Sequence, residues 1–461
     1  MAGQPLNLLR NEFVQRRDEG VIIPSHLVQK LAELHPDQDA YNYAACEPLY
    51  EALIALPEDP VLASAEPDEL AAIRALRPAG PRNLQWNPTP DTLYDRIYAA
   101  WLTRCVGCAM GKPVEGCGMT PLPGGSGAFQ HGRSIIEGYL KKRGAYPLDN
   151  YMSQRDVPEG WATPKGDSYQ ETITHMEDDD DIRYTVVGLM VVEARGPDFA
   201  WHDLARAWLN LLPVAQLVSA EERAIFNFLA RGDAGAATAA YTRKYRNPFR
   251  EWIGAQIRVD AFAWVAAGNP ELAAEYAYRD ASWSHTRNGI YGAMFWAAIQ
   301  AAAFVESDAR RLIAIGLSEI PAACRLAVAV RTQLAWLDGT PSMTWSMMMD
   351  QVDAATPGMH PVHAINNTLH CVAAMLFGGV DPIKLPALAV MGGMDTDCNG
   401  ATVGSIAGAA TGFRAMDRRL SDKLNDTAKL NMVGISSLAI SDLAKRTCVQ
   451  WQRVRNVSTL R

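Results

Sequence analysis

No stretch of this chain runs to roughly 18 apolar residues without interruption, so it offers no transmembrane helix. A basic surplus is lacking too. Its 51 acidic and 43 basic residues leave a net charge of −8, which gives a nucleic-acid backbone or an anionic membrane nothing to hold. The opening MAGQPLNLLRNEFVQRRDEG has no apolar centre of a signal peptide, so the expected location is the cytoplasm. Eight cysteines among 461 residues are too few for a disulfide framework. Cys105 and Cys108 form a CxxC, but a helical pattern runs through it and neither a second CxxC nor a histidine pair accompanies it. Packed thiols are expected there. Alternating strand-like runs are scarce, and internal repeats and low-complexity tracts are missing.

What the chain does have is helical periodicity. Apolar residues recur at three and four spacing in 92–108, 182–194, 201–212, 217–230, 271–280, 290–305, 308–317, 322–337, 364–376, 399–415 and 436–455. With 48% hydrophobic residues there is ample material for a large core. The expectation is an all-α, compact multi-helix protein. Alanine-rich AMFWAAIQAAAF and the small-residue run GATVGSIAGAATG point to closely packed helices. Residues 1–88 hold several prolines (Pro57, Pro60, Pro67, Pro78, Pro81) and read as a helical extension joined at about 78–90 to a main domain, 89–461. The aperiodic 118–170 region, rich in Gly, Pro and Ser, reads as a long loop and a candidate lid.

Two acidic clusters stand out. Glu177-Asp178-Asp179-Asp180-Asp181 leads into an apolar helical stretch, and Asp395-Thr396-Asp397 follows Gly392-Gly393-Met394 at the head of the small-residue run. An acidic run by itself is most simply a solvated helix start, favoured by the helix dipole. Asp-x-Asp between glycines, before a small-residue helix, is an odd place for idle charge. Crowded carboxylates repel and are costly to desolvate unless a cation compensates them, and oxygen donors suit hard divalent ions. The two clusters therefore read as halves of one metal site. Glu115, in the turn Gly111-Lys112-Pro113-Val114-Glu115-Gly116, joins them if that turn faces the acids. Gly254-Ala255-Gln256-Ile257-Arg258 and Ser284-His285 precede helices, whose N-termini are phosphate cradles or ordinary caps.

In chain order these pieces resemble the ADP-ribosylglycohydrolase family, which includes the dinitrogenase-reductase-activating glycohydrolases. The family's G-D-A-L-G-x-P-x-E is similar to GCAMGKPVEG here, its T-D-D-T-x-M to EDDDDI, and its G-G-D-T-D-T-N-A to GGMDTDCNGA. The resemblance spans about 92–415 and leaves residues 1–88 outside. It implies an all-α fold with magnesium or manganese, two ions, held at the centre. The ligands it implies are Glu177, Asp178 and Asp179 if Ile182 takes the methionine's place, with Asp180 and Asp181 as the alternative register, and Asp395 and Asp397 from the second motif. Glu115 would activate water, while Gly254, Gln256 and His285 would bind substrate near a diphosphate.

This chain departs from the pattern at Cys398 for a Ser/Thr ligand, Glu177 for Thr, Cys108 for Asp, and an inserted Met394. The implied function is metal-dependent cleavage of a ribosyl glycosidic bond in an ADP-ribosylated protein or an ADP-ribose-like molecule. The alternatives are hydrolysis of a smaller N-ribosyl or nucleoside-like metabolite and a catalytically silent ADP-ribose-binding module. A terpenoid-synthase-like DDxxD site fits only loosely, because the downstream Ser/Thr and Glu spacing is missing. A calcium-stabilised structural protein is the bland alternative.

Overall fold

The computed structural model describes residues 4–117, 119, 132–155, 166–231 and 237–458. Among these described residues the fold is all-α with one small hairpin. Its spine is the helix Pro90–Gly111, which starts where Pro90 fits a first turn and Thr89 accepts from the Thr92 amide. From Ala99 to Gly111 every residue of this helix is buried. It packs along the helix Thr396–Thr411, and the small-residue run explains how closely. A methyl at Gly107 would overlap the Gly400 carbonyl, and one at Gly404 would overlap the Thr103 carbonyl. Two helix backbones in contact leave no room for side chains between them. Around this pair lie Asp180–Arg195, Ala364–Gly378 and the completely buried Arg287–Ala302. Trp101 meets Trp264 edge-on with centroids 4.7 Å apart, and its Nε1 donates to Thr447.

Three local expectations change. The 436–455 pattern is a strand, Ile435–Ala439, followed by the helix Ile440–Ser458; the strand pairs antiparallel with Thr427–Met432. Parts of 118–170 lie outside the described residues, but the helix Gly132–Lys142 lies within that span, with Ile136, Tyr139 and Leu140 buried. Helices at Trp345–Ala355 and Lys384–Met391 also fall between the stretches picked by periodicity.

Helices Pro5–Asp18 and Tyr43–Ile54 share an apolar cluster of Leu9, Phe13, Leu49 and Leu53 that also takes in Ala220 and Phe249. Buried charge completes the attachment. Arg250 donates to Glu12 and Glu19 through paired bonds of 2.9–3.0 Å, Tyr50 donates to Glu12, and Gln15 donates to Glu251 at 2.9 Å. The helix at the head of the chain is thus held by charge-assisted bonds with residues some 240 positions away.

Candidate active site

The second acid cluster begins with a strained turn. Gly393 and Met394 both take positive φ, +80° and +67°, the second unusual for a side chain with a Cβ. The turn delivers Asp395 as the N-cap of Thr396–Thr411, with its amide donating to Asn367 Oδ1 at 3.2 Å. Asn367 Oδ1 also accepts from Asn399 at 2.8 Å, so one buried amide fixes the first turn of that helix. Asp397 Oδ1 accepts from the Cys398 amide. Thr396 donates to the Gly111 carbonyl, tying this turn to the end of the spine helix.

The first cluster is set by the hairpin. Met176 bridges Ala428 through bonds at 2.9 and 2.8 Å, and the Asn431 amide donates to Asp178. Asp178 also pairs with Arg183 at 3.1 Å. Glu177 instead accepts from the Asp167 amide and the Ser168 hydroxyl. Helix Asp180–Arg195 then starts with Asp179 as its N-cap, the Asp179 carboxylate accepting from the Asp181 amide. Arg104, wholly buried in the spine, pairs with Asp181 at 3.3 Å and Asp260 at 2.9 Å and donates to the carbonyls of Asp181 and Ile257.

Among the described residues, two groups able to hold a cation result. Glu115, Asp395 and Asp397 each offer an atom within 4.8 Å of the others, and so do Cys108, Asp179 and Asp181. Glu115 follows the single 3-10 turn Lys112–Val114, whose Lys112 reaches back to pair with Asp179. Their electrostatics are those of crowded anions. The negative charge of Asp397, with burial, pushes Glu115 up to about 9. Burial, with Asp179 and Asp397 nearby, pushes Asp180 up to about 7. Burial and the neighbouring aspartates raise Asp181, Asp395 and Asp397 as well. For Lys112 burial opposes the charge, but Asp179 outweighs it and the ammonium is held firmly protonated.

Glu115, Asp180, Asp181, Asp395 and Asp397 line one side of a cavity of about 490 Å³. Its other walls come from Phe249, Trp252, Ile253, Gly254 and Val362, and from Asn7 and Asn11 of the N-terminal helix. Trp252 lies flat on His360, centroids 4.0 Å apart and planes 15° apart, and both border the cavity.

The family model for ADP-ribosylglycohydrolases matches residues 89–453, most of the chain. The chain belongs to the ADP-ribosylglycohydrolase family. A solved structure described as an ADP-ribosylglycohydrolase-related protein complex is similar over 79% of this chain and 99% of its own, at 20% identity and a TM-score of 0.48. No curated protein matches. The family is one of glycohydrolases, and among the described residues of this member no helix is long and apolar enough to cross a membrane.

Against the positions that the family motifs suggested, the geometry is selective. Asp395, Asp397 and Glu115 come together, and Asp179 joins Asp181 and Cys108 close by. Glu177 and Asp178 face the 167–168 turn and the hairpin, so in this ADP-ribosylglycohydrolase it is the Asp179–Asp181 register that meets the second cluster. Gly254 borders the cavity, whereas Gln256 reaches toward Thr402 and His285 is buried beside Ser284. Cys398 lies in the buried first turn of its helix and belongs to neither acid group. Periodicity passed over Arg104, Lys112 and Asn367. The signal for Arg104 was in view: a lone cation on the inner face of an apolar helix needs a buried anion.

Proposed function

We propose that this chain hydrolyses a ribosyl glycosidic bond with the help of magnesium or manganese, two ions, bound between Asp179, Asp180 and Asp181 on one side and Asp395 and Asp397 on the other. One observation carries the reading: three separate segments bring their carboxylates around one cavity, where burial and mutual repulsion favour the protonated forms that bound cations would displace. The donor set fits hard ions, since all its atoms are carboxylate oxygens except the Cys108 sulfur. When bound, such ions hold ribose hydroxyls and a water in register and lower that water's pKa.

The protein's own residues supply the rest. Glu115, freed of its proton once Asp397 is compensated, takes a proton from the water. The water oxygen bonds to the ribosyl C1, the bond from C1 to nitrogen or oxygen breaks, and its electron pair leaves with the aglycone, which gains the proton. The carboxylates around the ring stabilise the oxocarbenium-like charge on the way. Lys112 and Arg104 keep Asp179 and Asp181 oriented.

The test is incubation with free magnesium or manganese and ADP-ribosyl-arginine, ADP-ribosyl-serine or plain ribosides, with products read by mass spectrometry. Cleavage is expected only with metal. Glu115→Gln should slow it on the order of a hundred- to ten-thousand-fold without lowering thermal stability. If the metal-loaded parent cleaves none of these, or Glu115→Gln keeps the parent rate, the assignment is wrong.

A further inference from the structure

We propose that Lys112 is a built-in cation that makes the two ion positions unequal. Glu115, Asp395 and Asp397 take the first ion, whereas an ion among Asp179, Asp181 and Cys108 has to displace the lysine from Asp179. This rests on the metal site proposed above and adds the order in which that site fills.

The backbone fixes Lys112 between the two acid groups. A methyl at Gly111, the residue before it, would overlap the Thr396 carbonyl and the Asp397 amide. The Gly111 carbonyl also accepts from the Thr396 hydroxyl at 2.8 Å. On the other side, the Glu115 amide donates to the carbonyls of Gly111 and Lys112 at 3.1 and 3.3 Å. The second acid cluster thus holds the main chain of Lys112, while its side chain reaches the first. Lys112 Nζ donates to Asp179 Oδ2 at 2.5 Å, and the Asp179 side chain is only 2% exposed.

Both oxygens of Asp179 are then engaged, since Oδ1 accepts from the Asp181 amide at 2.9 Å. Asp181 gives its own Oδ1 to Arg104, a cation buried with it. The third member, Cys108, is wholly buried, and burial with Asp179 and Asp181 nearby pushes its thiol well up. A protonated sulfur offers a hard ion little. The second ion therefore meets two carboxylates already compensated by an ammonium and a guanidinium, and those like charges repel it. Compensation in the other group is of a different kind. Asp395 and Asp397 bond to each other through their carboxyl groups, and such a bond needs a proton. A proton passes to solvent when a cation binds, whereas a tethered ammonium has to be pulled from a buried partner. At limiting metal the site thus holds one ion and one ammonium, and occupancy by the second ion tracks its concentration.

Manganese binding to the full chain, counted by electron paramagnetic resonance of the free ion, tests this without turnover. The parent is expected to bind one ion tightly and a second on the order of tenfold to a hundredfold more weakly. Lys112→Met removes the charge and should bring the second step to within about threefold of the first. Lys112→Gln keeps a donor for Asp179 and should do the same, even where the methionine variant fails to fold. In chelator Lys112→Met should melt below the parent, because Asp179 loses its partner. Saturating manganese should close that gap, which a purely structural lysine would leave open. Two equal steps in the parent, or a second step still weak once the charge is gone, overturn the proposal and leave the metal site standing. If no manganese binds, the metal reading itself fails, and the proposal with it.

Discussion

Replacing Asp397 by asparagine should make the metal-free protein more stable and the metal-treated protein unresponsive. Asp397 is buried, and its ligand oxygen lies within 4.8 Å of those of Glu115 and Asp395. Like charges at that separation repel by about 3 kcal/mol per pair at an effective dielectric constant near 20. Protonation of the neighbours already relieves part of the two pairs' repulsion, so a gain of about 3 kcal/mol, one pair's worth, is expected from one neutral side chain. Asparagine keeps an oxygen to accept from the Cys398 amide, so the helix start is preserved. At roughly 2.1 cal/mol/K of unfolding entropy per residue, a chain of 461 residues moves about 1 °C per kcal/mol. Differential scanning fluorimetry in chelator should therefore show the variant melting up to about 3 °C above the parent. A divalent ion at about a hundred times its Kd stabilises by about 2.7 kcal/mol, so magnesium or manganese should raise the parent by about 3 °C and leave Asp397→Asn where it was. The opposite signs are what discriminate. A variant that melts below the parent in chelator, or that gains as much from metal as the parent, refutes the repulsion argument.

Arg104→Met removes a wholly buried guanidinium from Asp181 and Asp260 and should cost about 3–5 kcal/mol in denaturant unfolding; a loss under 1 kcal/mol would mean the pairs are idle. In metal-free buffer, Glu115 holds a proton up to about pH 9 in the folded chain and loses it near its ordinary value of 4.5 when unfolded. Its contribution is thus full below 4.5 and lost as pH rises through 9. A melting series from pH 7 to 9, above the range of the buried histidines, should fall in chelator and flatten with magnesium; a rise in chelator contradicts the assignment. Gly400→Val drives a side chain into the Gly107 carbonyl and should cost on the order of 3 kcal/mol or more. Unchanged unfolding would show that the two helices part easily.

The helices that pack the core were legible because their apolar spacing is local, and the run GATVGSIAGAATG announced a close helix pair that Gly107, Gly400 and Gly404 make real. The acid clusters were legible as well, but not their register. Five consecutive acids carry no internal marker, and only the anchoring of Met176 and Asp178 by the 427–439 hairpin turns Glu177 and Asp178 aside. That hairpin escaped because its second strand, ISSLA, runs without a break into the helix that starts at Ile440. Gln256 and His285 were suggested by motif order, yet their neighbour Arg258 turns inward to Glu221 and Asp280 and takes the segment's polarity into the core. Asn7 and Asn11 had no local signal. Their place depends on Arg250, some 240 residues downstream.

The bonds from Glu12 and Glu19 to Arg250 also bear on synthesis. The wall carrying Asn7 and Asn11 leaves the ribosome before Arg250 and has no seat until it follows, and the acid pole waits longer still, for Asp397. A nascent chain, or a fragment cut anywhere between them, holds pieces of the cavity but never the whole. Whatever chemistry the cavity performs is thereby withheld from incomplete copies and arrives with the finished fold.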